Sequence, residues 1–330
     1  MKKSSKSNSN VAWYSIAVIA LLNIAYQLYA SRKNAATIAQ AKPLYLLLAV
    51  LSEIFAYLVL VPAYRSFFAK RNISLGFLQS LGLLFAGVGL SKVIPFGEYI
   101  LWRQKLKSFK GGVAASSQFI VLFITWLLSA LIILFLVAEL LAAIFNPSQQ
   151  VGLLAKSFSK VPIVLTVIIL GIVGSTRLPS FRLKIGTFFR EKLGTETLSP
   201  VAIIRENNLG IRELGFLTVG AFLTWIFEAI TLYLCLRALG LAPPIFVALF
   251  GYCFARIFII FPLFPGGIGE VETATTLFFV SYGFPAGPVF TATVLFRLLT
   301  YWMPIISGGS TYALARRKKS PQKRADLVME

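Results

Sequence analysis

Between Val113 and Val137 the chain carries no charged side chain. A run of 18 or more apolar residues is long enough, as a helix, to cross a hydrocarbon layer about 30 Å thick. Within that layer no water satisfies the backbone, and a helix meets its own N–H and C=O groups. Comparable apolar runs cover about Val11–Ala30, Leu44–Tyr64, Ile73–Ile94, Val161–Thr176, Leu214–Leu236, Ile245–Leu263 with Thr273–Tyr282, and Gly287–Leu314. Composition agrees: 57% of residues are hydrophobic and 13% charged, against about 25% charged in soluble domains. The sequence therefore predicts an all-α integral membrane protein with eight hydrophobic segments. The first run follows Lys2, Lys3 and Lys6 and reads as an uncleaved signal anchor.

Two of the eight segments are broken. Ile73–Ile94 ends at Pro95-Phe96-Gly97-Glu98, and Ile245–Leu263 runs into Phe264-Pro265-Gly266-Gly267-Ile268-Gly269-Glu270-Val271-Glu272. Pro and Gly interrupt helices, and carboxylates are expensive in lipid. Such a break is tolerated only where protein or a water-filled cavity covers it. Both breaks therefore read as the lining of a site.

The basic residues set the topology. If every run spans once, Ile73–Ile94 has strong positive clusters at both ends, and the positive-inside pattern fails. Treating the two broken segments as re-entrant hairpins restores it. Most of the 32 Lys and Arg then fall in cytoplasmic segments, and Lys92, Arg256 and Arg297 lie within the membrane. The expected architecture is about six full transmembrane helices plus two re-entrant helical hairpins. A basic tail over 1–10 precedes a single membrane domain over 11–315, with halves at about 11–145 and 155–315. A cytoplasmic linker covers 177–213, and a basic tail covers 316–330. Both termini are expected in the cytoplasm.

Each half then reads span, span, hairpin, span, and the halves enter from opposite sides. Glu53 precedes the first hairpin as Glu228 precedes the second. Each hairpin carries a cation, a Pro and a Gly-Glu pair: Lys92, Pro95, Gly97-Glu98, and Arg256, Pro265, Gly269-Glu270. Inverted repeats with broken helices near the midplane characterise alternating-access carriers.

A half-helix that starts in the membrane points unpaired N–H groups and partial positive charge inward, a common way of holding anions. Gly266, Gly267 and Gly269 allow close backbone approach, and Lys92, Arg256 and Arg297 add full charges. Glu98, Glu270 and Glu272 line the same breaks, with Glu53 and Glu228 as intramembrane partners. Arg297 is expected to pair with Glu270 while the site is empty. Glu53 and Glu228 also admit a plainer role as helix ties, and Gly82, Gly87 and Gly89 read as helix-packing positions.

Other chemistry is excluded or disfavoured. There is no His, and so no imidazole base or ligand. The two cysteines, Cys235 and Cys253, lie in apolar runs and read as packing residues. The lone Asp, Asp326, sits in the basic tail, which argues against an Asp-x-Asp metal clamp. No metal or cofactor is expected. The net charge of +20 sits in short loops between apolar runs, where it meets anionic headgroups rather than nucleic acid.

At Pro262-Leu263-Phe264-Pro265-Gly266-Gly267-Ile268-Gly269-Glu270-Val271-Glu272, followed by Arg297 in the last span, the chain resembles the transmembrane region of lysylphosphatidylglycerol synthases, flippase-like proteins. Pro95-Phe96-Gly97-Glu98 is similar to the family's weaker N-terminal motif. Arg103 falls one position late in that motif, which leaves its role open. The resemblance extends over about residues 10–315. It implies a multi-pass inner-membrane protein that moves an anionic phospholipid, or a polyprenyl-phosphate-linked substrate, across the bilayer. The soluble lysyltransferase domain of the namesake proteins needs a long polar region, and the longest here is Arg177–Glu213. A non-catalytic partner of a separate synthase or glycosyltransferase, and a lipid-headgroup transferase, are the alternatives.

Overall fold

The computed structural model describes residues 39–93, 97–106, 109, 112–145, 200–260, 267 and 269–308. These residues are helical, with no strand among them. The helices are α1 (Pro43–Leu58), α2 (Val61–Ala69), α3 (Phe77–Val93), α4 (Gly97–Leu106), α5 (Gly112–Phe145), α6 (Pro200–Glu206), α7 (Ile211–Ala238), α8 (Ile245–Ile260), α9 (Glu270–Ser281) and α10 (Ala286–Arg297). A π turn, Leu298–Trp302, follows α10 and leads into a last helical stretch ending at Gly308.

Four helical stretches are long and apolar enough to cross a membrane: Pro43–Ala69, Gly112–Leu141, Ile211–Ala238 and Ala286–Gly308. They coincide with four of the six expected spans. The other two, Val11–Ala30 and Val161–Thr176, lie outside the described residues, as do both tails and most of the linker. Phe77–Lys92 and Ile245–Arg256 are shorter apolar helices, at the two segments the sequence marks as broken. One boundary differs from expectation. Helix α5 runs through Glu139 to Phe145, beyond the apolar run Val113–Val137. The Ala- and Leu-rich stretch Ala138–Ala143 has high helix propensity and carries the helix onward.

The faces of α1 show why this bundle suits lipid. Leu44, Leu47, Leu48, Leu51 and Phe55 are exposed, while Ala49, Ser52, Glu53, Ala56 and Tyr57 are buried. Both sets recur every three or four residues, so the large apolar side chains point outward and the polar ones inward. That is the reverse of a soluble amphipathic helix. The span bends at Val59-Leu60, because Pro62 has no N–H to give the Leu58 carbonyl. Its buried face packs on α7. There the Ser52 hydroxyl donates to the Phe227 carbonyl at 2.8 Å, and the Thr224 hydroxyl donates to the Ala56 carbonyl at 3.1 Å.

Helices α3 and α4 run antiparallel, side by side. A Cβ on Gly97 would meet the Leu90 carbonyl, one on Gly87 would meet the Glu98 side chain, and the Trp102 indole N–H donates to the Leu83 carbonyl at 3.4 Å. As one position falls the other rises, so the chain reverses between Val93 and Gly97. Helices α8 and α9 also pack together, with Gly251 of α8 against the rings of Phe278 and Phe279. Sharp stops shape the connections. Asn72, Asn208, Gly240 and Gly283 have positive φ. The next residue in each case donates back to the carbonyl five positions before it, as in Leu241 N–H to Leu236 at 3.0 Å.

Each of these helix pairs also packs on a helix distant in sequence: α8 packs on α5, and α3 packs on the π turn that follows α10. At the second contact a Cβ on Gly89 would fall 2.2 Å from the Pro304 carbonyl, and one on Gly308 would fall 2.5 Å from the Phe85 carbonyl. Gly87 and Gly89 are thus packing positions, as the sequence suggests. Trp102 is also a packing residue, buried against Tyr64, Phe68 and Phe119.

Candidate functional site

The carboxylates and cations singled out in the sequence lie inside this bundle. Glu53 and Glu228 sit on facing helices α1 and α7, Lys92 near the end of α3, and Glu98 at the start of α4. Arg256 lies on α8, Glu270 and Glu272 open α9, and Arg297 stands at the midpoint of Ala286–Gly308. Glu53, Glu98, Glu228, Arg256, Glu272 and Arg297 are buried, and Lys92, Gly269 and Glu270 are half-buried.

Buried charges persist only when paired and hydrogen-bonded, and most of these are. Arg256 forms an ion pair with Glu228. Tyr252 closes the triangle: Arg256 Nε donates to its hydroxyl at 3.0 Å, and the hydroxyl donates to Glu228 at 2.9 Å. The guanidinium also stands over the rings of Trp225, Tyr252 and Phe296 at 5.3, 5.0 and 5.9 Å, which favours a cation.

Arg297 forms its ion pair with Glu272, at 3.2 Å, where the sequence reading expected Glu270. The reason is positional. Glu272 is the third residue of α9, and from there its Oε2 accepts the Gly269 N–H at 2.9 Å. Its side chain therefore folds back over the helix start, and Oε1 is left to meet Arg297. The Arg297 guanidinium also stacks on the Tyr301 ring at 4.4 Å, one turn on across the π turn.

At the start of α4 the Tyr64 hydroxyl donates to Glu98, and the Glu98 backbone N–H donates to the Ser91 hydroxyl at 2.8 Å. Gly97 has no room for a side chain, its Cβ position lying 2.5 Å from the Leu90 backbone. Pro95 lies outside the described residues, and so do Pro265, Gly266 and the Arg103 side chain.

Lys92 differs from the two arginines. Among the described residues it makes no ion pair or side-chain hydrogen bond, although it lies within electrostatic reach of Arg256, Arg297, Glu53 and Glu98. Its carbonyl accepts the Tyr301 hydroxyl at 3.1 Å. Thus the end of α3 is held against the helical stretch that carries Arg297. Three cations from three helices converge, and two are committed to carboxylates.

The second break has the backbone its glycines imply. Gly267 is buried with φ of 64°, and Gly269 has φ of 82° with no atom of the described residues within 4 Å of where a Cβ would stand. L side chains rarely adopt such φ values, so both positions favour glycine on conformational grounds alone.

Sequence reasoning missed the tyrosines. Tyr252 and Tyr301 contact Arg256 and Arg297 from four residues before and four after, a helical spacing that was legible. Tyr64 reaches Glu98 from another helix, and nothing in the local sequence announces it.

An apolar-faced helical bundle whose interior carries ion pairs defines an α-helical integral membrane protein with a charged interior. More specifically, the chain belongs to the family described as the lysylphosphatidylglycerol synthase TM region, whose profile matches residues 12–308. Two proteins of Methanothermobacter thermautotrophicus, each named UPF0104 membrane protein, are similar to it. One is 32% identical over 96 residues, 28% of this chain and 28% of that protein. The other is 27% identical over 91 residues, 28% of this chain and 27% of that protein. The chain therefore matches less than a third of the length of these curated relatives. No solved structure matches.

Proposed function

We propose that this protein is a lipid carrier that receives an anionic headgroup between its two broken segments. The observation that carries this reading is Lys92. It is a half-buried cation without a carboxylate partner among the described residues, within reach of Arg256 and Arg297. A cation kept inside a membrane protein is costly and usually functional. An anion beside it offsets that cost, and a phosphate is the anion a bilayer supplies. The start of α9 adds the positive end of a helix and the open space beside Gly269. The lipid tails stay on the apolar outer faces.

The architecture supports a carrier. Exchanging α1 with α7, α3 with α8, α4 with α9, and α5 with the α10 span carries three contacts onto three others, although the α7–α10 contact has no α1–α5 counterpart of like extent. The α3–α4 contact becomes α8–α9, α4–α5 becomes α9–α10, and α5–α8 becomes the contact of α3 with the final span. This correspondence is what two inverted repeats with re-entrant hairpins produce. In this reading the repeats rock against each other around Lys92, Arg256 and Arg297. The substrate is an anionic phospholipid or a polyprenyl-phosphate-linked molecule, the membrane is the cell's inner membrane, and both termini are cytoplasmic.

Reconstitution tests the proposal. Vesicles containing fluorescent NBD-phosphatidylglycerol and the purified protein should expose inner-leaflet probe to external dithionite, with no covalent change to the lipid. A new lipid product would point to a transferase. Neither outcome in the presence of correctly folded protein would favour a membrane partner of a separate enzyme.

A further inference from the structure

Glu53 stands apart from the other interior carboxylates. It is fully buried on the α1 face that packs against α7, and among the described residues neither of its oxygens has a hydrogen-bond partner. The hydroxyl of Tyr57, one turn along the same helix, faces it and has no other partner among the described residues. From α7 it is faced by Thr231 and Cys235, but the Thr231 hydroxyl is committed to the Phe227 carbonyl at 2.9 Å. From α8 it is faced by Tyr252 and Arg256, and Arg256 is taken by Glu228. From α3 it feels Lys92. A buried carboxylate with few donors is held more cheaply as the neutral acid, unless nearby cations compensate its charge. Here the compensation comes first from Arg256, itself paired with Glu228, and then from Lys92, the cation proposed to receive the headgroup. Glu53 and a bound anion therefore draw on the same positive charges.

We propose that Glu53 is a proton-binding site linked to the headgroup site: it takes a proton from water when an anion settles beside Lys92, and returns it when the anion leaves. One negative charge and one proton enter together, so the interior keeps a constant net charge through the cycle. This makes the carrier proton-coupled, with Glu53 near the contact of the two halves. The inference rests on the reading that Lys92 receives an anion.

The test uses the full-length protein in a neutral detergent, with dioctanoyl-phosphatidylglycerol as the probe. Binding is measured by calorimetry, and proton uptake by a pH-indicator dye in weakly buffered solution. The parent protein should take up about one proton per bound lipid. Its affinity should fall by up to about tenfold per pH unit above the point where Glu53 ionises in the empty protein. Glu53→Gln should bind without uptake and without that slope. Binding without proton uptake by the parent protein at every pH across which it binds overturns the inference and leaves the proposed function standing. Uptake that persists in Glu53→Gln places the proton elsewhere and also overturns it. No lipid binding at any pH overturns both readings. The parent measurement decides the matter even if Glu53→Gln fails to fold.

Discussion

Arg297 and Glu272 form an ion pair at 3.2 Å, while the second oxygen of Glu272 accepts the N–H of Gly269 at 2.9 Å. One carboxylate thus fastens the final span to the start of α9 and closes the backbone at the Gly-rich break. It is both a helix cap and an ion-pair partner, and substitutions separate the two roles.

Glu272→Ala should lose both and leave Arg297 facing a vacated carboxylate position. Removing one partner of a buried pair costs about 3–5 kcal/mol, so a large drop in thermal stability in detergent is expected. Glu272→Gln keeps an oxygen for the Gly269 N–H and should fall between parent and Ala. Equal stability of Glu272→Gln and Glu272→Ala would mean that the cap contributes nothing.

Arg297→Lys keeps a charge for Glu272 but loses the planar guanidinium that stacks on Tyr301 at 4.4 Å. The fold should survive while affinity for an anionic lipid falls at least several-fold. Arg297→Ala should lose both binding and stability. Parent-like lipid binding by Arg297→Lys would make the residue a structural tie only.

Gly269→Ala tests the backbone rather than the space. No atom of the described residues lies within 4 Å of the added Cβ, but φ is 82°. The cost should be that of a side chain in a left-handed conformation, about 1–2 kcal/mol, with membrane insertion intact. Thermal unfolding measures it, and an unaffected melting temperature would contradict the geometry.

Gly89→Val should act differently, through a steric clash. Its Cβ would lie 2.2 Å from the Pro304 carbonyl, so α3 must move from the final span, taking Lys92 with it. Lipid transport in vesicles should fall sharply even where the protein still inserts. Full transport by Gly89→Val would show that the contact of α3 with Pro304 is dispensable.

The proposed orientation has its own test. A Thr195→Cys protein, in a background lacking Cys235 and Cys253, should be labelled by an impermeant maleimide only after cells are opened. Labelling in intact cells would reverse the topology.

The interior charges were legible because lipid makes them costly: a Glu, Lys or Arg within an apolar run must be explained, and Glu53, Glu98, Glu228, Arg256, Glu272 and Arg297 prove buried. The breaks were legible for the same reason, since Pro and Gly interrupt helices there. Which partner each charge would take was not. Glu270 and Glu272 are two residues apart, and only the fold of the Glu272 side chain over Gly269 brings it to Arg297. The union of Tyr64 with Glu98 depends on how α4 turns back along α3, a tertiary fact that no local pattern carries. Conversely, Gly89 could be read as a packing position, but not that its partner is Pro304.

The most direct measurement of the central claim is the affinity of dioctanoyl-phosphatidylglycerol for the parent protein and for Lys92→Gln, at low and high salt. Lys92 has no carboxylate partner among the described residues, so its neutral replacement breaks no ion pair described there. Lys92→Gln should keep its melting temperature within a few degrees and lose at least about tenfold in affinity, one charge-assisted contact being worth about 1.5–3 kcal/mol. Lys92→Gln binding the lipid as tightly as the parent would contradict that claim.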